Sequence, residues 1–120
     1  MAEAKVLSVA PVLCVSIMKP AIDFFVDRLG FTLTGSAGDP PSWASLGRDG
    51  VEVMLVCGDY PAPAQDWAAY FWVDNVDALH AEAVQRGAHI ASGLVDKPYK
   101  CREFEARMPD GRLIAFGQSI

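Results

Sequence analysis

The pattern of apolar residues and turn formers in this chain runs through once and then begins again. Residues 9–17 read V-A-P-V-L-C-V-S-I, rich in the β-branched residues that suit a strand. Pro20 stands where a first helical position would, and Ile22, Phe25, Val26 and Leu29 follow at helical spacing. Gly30 ends that helix because it accepts positive φ without strain. Strands are expected next at 31–35, 43–46 and 51–57, with a loop over 38–41 and a hairpin turn over 47–50. After a stretch rich in Gly and Pro at 58–67, the order returns. An aromatic strand spans 70–74, Asp74 or Asn75 serves as N-cap, and Val76, Leu79, Ala83 and Val84 form a helical stripe ended by Gly87. A further strand opens at 89–91, and strands over 102–108 and 112–117 are joined at Asp110-Gly111. Each half reads β-α-β-β-β. Gly30 matches Gly87, Val15 matches Val73, and Asp49-Gly50 matches Asp110-Gly111, at offsets of about 57 to 61 residues. The expectation is an α+β fold in one domain over residues 1–120, with modules at 6–57 and 68–118 and a linker at 58–67.

Composition narrows the function classes. With 52% hydrophobic and 21% charged residues the chain is of globular and not disordered type. A formal net charge of −5 argues against a nucleic-acid partner, which demands basic surface, and is compatible with a cationic ligand. No apolar run approaches the roughly 18 residues of a membrane span. Residues 1–20 lack the basic start of a signal peptide, so no membrane association is expected. Cys14, Cys57 and Cys101 are odd in number and show no C-x-x-C spacing; they read as reduced thiols of a cytoplasmic protein. Walker A, G-x-G-x-x-G and G-x-S-x-G motifs are all missing.

Three segments carry a resemblance. They are P-V-L-C-V-S-I-M-K-P-A-I-D-F-F-V-D-R-L-G-F at 11–31, Y-F-W-V-D-N-V-D-A-L-H-A-E-A-V-Q-R-G-A at 70–88, and R-E-F-E-A-R-M-P-D-G-R-L-I-A-F at 102–116. In order and spacing the chain resembles the vicinal oxygen chelate superfamily, which includes glyoxalase I, extradiol dioxygenases and bleomycin resistance proteins. The final hairpin after Pro98-Tyr99 is most similar to the bleomycin resistance type. The resemblance implies paired modules whose curved mixed sheets form a cup, with helices on the outer face. It also implies homodimers, some with cups built from both chains, and in the family's enzymes a divalent metal in the cup. The implied ligand positions fall on Ala10, Met54, Ala68 and Ala115. A methyl cannot ligate, and a thioether is a poor ligand for such ions. A register slip brings Val53, Leu55 or at most Glu52, and a single carboxylate does not hold a metal. His80 and His89 lie off the implied cup, so no metal or other cofactor is expected.

Strand alternation, counted from those positions, gives the cup lining. Ala10, Val12, Cys14 and Ser16 share one side of the first strand, and Glu52, Met54 and Val56 share one side of the fourth. Ala68, Tyr70 and Trp72 face the cup from the second module's first strand, Leu113, Ala115 and Gly117 from its last. Phe104, Ala106 and Met108 must meet the helices, which turns Glu103, Glu105 and Arg107 to the cup or its rim. Trp43 and Tyr99 stand where they close its mouth, and Trp67 and Trp43 suit a subunit interface. Aromatic faces with carboxylates favour a planar, cationic guest. The candidate ligand-binding residues are therefore Trp43, Glu52, Met54, Tyr70, Trp72, Tyr99, Glu103 and Glu105, with no catalytic residue assigned. The competing view is that the rings merely fill the cup and the glutamates form a solvated face.

Three functions are compatible with this lining. The favoured one is a metal-free protein that binds a small molecule and sequesters it, as bleomycin resistance proteins do. A metal-dependent lyase, isomerase or dioxygenase needs about three ligating side chains. A metal-free enzyme would use Glu52 or Glu105 as general base, but no second catalytic partner accompanies either.

Overall fold

The computed structural model describes residues 3–58 and 66–120. Each half of the chain builds one four-stranded mixed sheet. The first contains β1 (Val12–Val15), β2 (Thr32–Ala37), β3 (Trp43–Arg48) and β4 (Val51–Cys57), in the order β1-β4-β3-β2. The second contains β5 (Trp67–Trp72), β6 (Ile90–Lys97), β7 (Cys101–Arg107) and β8 (Leu113–Ser119), in the order β5-β8-β7-β6. The two orders are the same. In each sheet the first strand pairs parallel with the last, and the others pair antiparallel. This is an α+β fold of two open sheets and few helices.

Helix α1 (Met18–Asp23) starts two residues before the expected Pro20, which sits in the first turn where its missing N–H costs nothing. It continues as a π-helical turn over Phe24–Arg28. Phe24 and Phe25, although adjacent, are both buried there, and Leu29 completes the stripe. Gly30 (φ 73) and Gly87 (φ 79) close α1 and α2 (Val76–Gln85) in the left-handed conformation. Asn75, not Asp74, caps α2, its Oδ1 accepting from the Ala78 N–H at 3.0 Å. The expected turn over 47–50 is tighter than its range: Arg48 still pairs with Val51, so Asp49 (φ 53) and Gly50 (φ 79) alone make a type I′ turn.

One core serves both halves. Phe25, Phe31, Phe71, Phe116 and Phe104 form a continuous run of ring contacts with neighbouring centroids 5.0–5.9 Å apart. Leu13, Val15, Ala44, Leu46, Val53 and Leu55 line it from the first sheet. Polar straps reinforce the junction. Arg48 forks onto both carboxylate oxygens of Glu82 at 2.9 Å and donates to the Leu29 carbonyl at 2.7 Å. Arg28 donates to the Arg86 carbonyl at 2.6 Å, and the buried Arg112 donates to the Cys14 carbonyl.

Two strand expectations are corrected. The strand expected over 9–17 is ordered only at Val12–Val15, because the ladder to β4 ends at Pro11, whose carbonyl accepts from Met54. Ala10 therefore lies before the strand and Ser16 after it, while Val6, Leu7 and Val9 stand exposed. The strand expected over 70–74 begins at Trp67, so the linker read as 58–67 is shorter at its end. Its central part, 59–65, lies outside the described residues.

Candidate functional site

The faces of the two sheets turned away from the core carry the candidate residues. In the first sheet Val12, Met54 and Ser45 stand in register across β1, β4 and β3, with Glu52 opposite Gly47 and Val56 opposite Trp43. Ser45, nearly fully buried, donates to Glu52 at 2.6 Å, and the Thr34 hydroxyl donates to the Ser45 hydroxyl at 2.9 Å. This chain of hydroxyls fixes one oxygen of an otherwise exposed carboxylate. The Trp43 ring lies over Gly35, where a Cβ would meet it at 3.4 Å, an ordinary van der Waals contact. Cys14 is half-buried on the same face of β1.

The second sheet holds the denser group. Trp67, Tyr70 and Trp72 line up along β5 with successive ring centroids 5.0 Å apart. Beneath them, Glu103 and Glu105 point up from β7, opposite Gly117 and Ala115 of β8. Tyr70 and Tyr99 each donate a hydroxyl to Glu103, at 2.8 and 2.7 Å, one to each carboxylate oxygen. Trp67 donates its indole N–H to Glu105 at 2.6 Å. Tyr70 reaches Glu103 only because residue 117 is glycine: a Cβ there would overlap the phenol oxygen. Burial, and then the bond to Glu103, push the Tyr70 hydroxyl well above its ordinary range. The same bond is the main cause that raises Tyr99 to about 12. Both phenols therefore remain protonated donors at neutral pH.

The expected residues thus divide by sheet. Glu52, Met54 and Trp43 belong to the first, Tyr70, Trp72, Tyr99, Glu103 and Glu105 to the second. Among the described residues no hydrogen bond or ring contact links the groups. A groove of about 360 Å³ between β1 and β5 is lined by Val12, Cys14, Trp67 and Ala68 and includes none of the eight. Trp43 packs against Gly35 of the first sheet, and Tyr99 bonds to Glu103 of the second. The view of the rings as plain filling holds only in part. Tyr70 covers Ala115, which is 0% exposed, but Trp72 is 66% exposed and Trp67 45%. Glu103, at 3% exposure, is no solvated surface residue.

Trp67 is the site residue that alternation missed. A bulge between Trp67 and Ala69 shifts the register of β5 against β8, so Trp67 pairs with Leu113 and joins Tyr70 on the open face. Ala68, expected on that face, instead packs against the core. The apolar bulk of Trp67 was legible; the extra residue was not.

Ala10, Met54, Ala68 and Ala115 supply three methyls and a thioether, and among the described residues no three His, Cys, Asp or Glu side chains group to hold an ion. His80 packs edge-on against Phe104 in the core layer, and His89 is exposed beyond Gly87. No helix among the described residues is long and apolar enough to cross a membrane.

Comparison with known proteins matches residues 6–116 to the family described as Glyoxalase/Bleomycin resistance protein/Dioxygenase superfamily. No curated protein sequence matches the chain. Among solved structures, the bleomycin-binding protein of Streptomyces verticillus, complexed with copper(II)-bleomycin, superposes with a TM-score of 0.77 at 22% identity, covering 95% of this chain and 97% of that one. TioX from Micromonospora sp. ML1 gives 0.75 at 25% identity over 94% and 100% of the two chains. TnmS3, an antibiotic binding protein from Streptomyces sp. CB03234, gives 0.71 at 26% over 98% and 100%.

Proposed function

Because the chain belongs to the glyoxalase/bleomycin resistance protein/dioxygenase superfamily, we propose that it is a metal-free small-molecule binding protein of the bleomycin resistance type. Its guest is a planar, cationic aromatic compound. One observation carries this reading: three rings at 5.0 Å spacing, two of them exposed, stand over the carboxylates of Glu103 and Glu105. A flat cation on such rings gains stacking and ring-quadrupole attraction, about 0.5–2 kcal/mol per contact as water is excluded. The antibiotic-binding neighbours support a ligand-binding role. Sequestration needs no general base and no metal, in keeping with the side chains at Ala10, Met54, Ala68 and Ala115.

The binding unit in this reading is a homodimer. Val6, Leu7 and Val9 are each more than four-fifths exposed, and Val12, Trp67 and Trp72 add apolar surface on the sheets. Monomeric proteins seldom leave such area to water. A second copy covers part of it and walls the open faces into cups.

A thermal-shift screen against cationic aromatic antibiotics and common metabolites, with and without added divalent metal, tests the proposal. Stabilisation by a cationic aromatic compound without metal is the expected result. Stabilisation that appears only with a divalent ion, or by none of these compounds, would overturn it.

A further inference from the structure

The two glutamates of β7 are not equivalent. Resting on the binding function proposed above, we infer that Glu103, and not Glu105, makes the site prefer a cation over a neutral ring of the same shape. Glu103 is 3% exposed, and no ion pair among the described residues includes it. Every carboxylate in those pairs meets an Arg or Lys on the helix side, on a strand edge or in a turn. Arg107, two residues past Glu105 on the same face, turns instead to the Gly111 carbonyl at 2.8 Å. Glu103 is therefore a buried anion held by hydrogen bonds alone, and both its oxygens are taken by phenols.

A buried carboxylate without a counter-charge is costly, and replacing it by an apolar residue commonly relieves that cost. The cost is recovered if the missing positive charge arrives with the ligand. The phenols set the route. With Tyr70 and Tyr99 occupying its oxygens, Glu103 is not contacted by the guest. Its charge acts through the Tyr70 ring, making the face between Tyr70 and Trp72 more negative than rings alone would be. Glu105 lies half-buried with one oxygen held by Trp67, so its field is screened more by water and salt. Selectivity from Glu103 should accordingly survive salt that abolishes the effect of the outer carboxylates.

The experiment uses 10-methylacridinium and acridine, which share one ring system and of which the second is neutral at about pH 8, titrated by tryptophan fluorescence at about 20 mM and about 500 mM salt. The expected result is a preference of the wild-type protein for the cation of at least about fivefold at the higher salt. Glu103→Gln should remove that preference, while Glu105→Gln keeps it. The salt series on the wild-type protein needs no variant to fold. A preference that vanishes at high salt, survives Glu103→Gln, or disappears in Glu105→Gln would overturn the inference. Equal binding of both probes by the wild-type protein overturns it while the binding function stands; binding of neither overturns both.

Discussion

Gly117 shows how much a single position controls. Its backbone is not in the left-handed region, so its value is space: the Tyr70 phenol lies where a Cβ would be. Gly117→Ala is expected to drive Tyr70 off Glu103 and to cost about 1–3 kcal/mol of unfolding free energy. Denaturant unfolding checks this, and unchanged stability would contradict it. The two phenols give a second prediction. Because Tyr99 is raised to about 12 and Tyr70 is raised further, folding favours their protonated forms. That contribution is complete below the ordinary tyrosine pKa of about 10 and is lost as pH rises through the folded values. Spectrophotometric titration of the native protein should show two late tyrosines, with stability falling above about pH 10. Titration of all tyrosines near 10 would show that the Glu103 bonds are not made.

At the scale of elements, most of the architecture was legible in the sequence. Gly30 and Gly87 mark real helix ends, Asn75 a real cap, and the turn at Asp49-Gly50 a real hairpin. The misreadings share a cause: alternation and propensity describe a strand on its own, whereas bounds and register depend on its partner. Strand β1 stops where β4 stops pairing with it, so residues of good strand propensity before Pro11 stay irregular. The bulge in β5 arises in its pairing with β8 and carries no Gly or Pro to announce it. Helix α1 was found by its stripe, but its π turn, which buries Phe24 beside Phe25, was not. The parity of β4, β7 and β8 needed no correction because the β3–β4 and β7–β8 ladders run unbroken. The strap between elements is testable. Arg48 and Glu82 are both under two-fifths exposed and meet through two bonds, so Glu82→Ala should lower stability by about 1–2 kcal/mol. A double-mutant cycle with Arg48→Ala should show coupling near 1 kcal/mol. Additive effects would mean that the pair does not join the halves.

For the molecule as a whole, a shared phenylalanine core and the Arg112 bond to the Cys14 carbonyl tie two similar sheets together, and their far faces stay open. Exposed Trp72 and the exposed residues Val6, Leu7 and Val9 predict a homodimer, which sedimentation equilibrium checks; a monomer at tens of micromolar would contradict it. The module assignment already divides the candidate residues between two sheets, but alternation places a side chain on a face and says nothing of how the faces meet. The most direct test of the binding claim is a tryptophan-fluorescence titration with bleomycin in metal-free buffer, on the wild-type protein and on Trp72→Ala. The account predicts saturable quenching at one ligand per protomer, weakened at least about tenfold by the substitution, since an exposed ring that touches no ligand would matter little. No saturable change with bleomycin or any other cationic aromatic compound, or equal affinity in the variant, would contradict it.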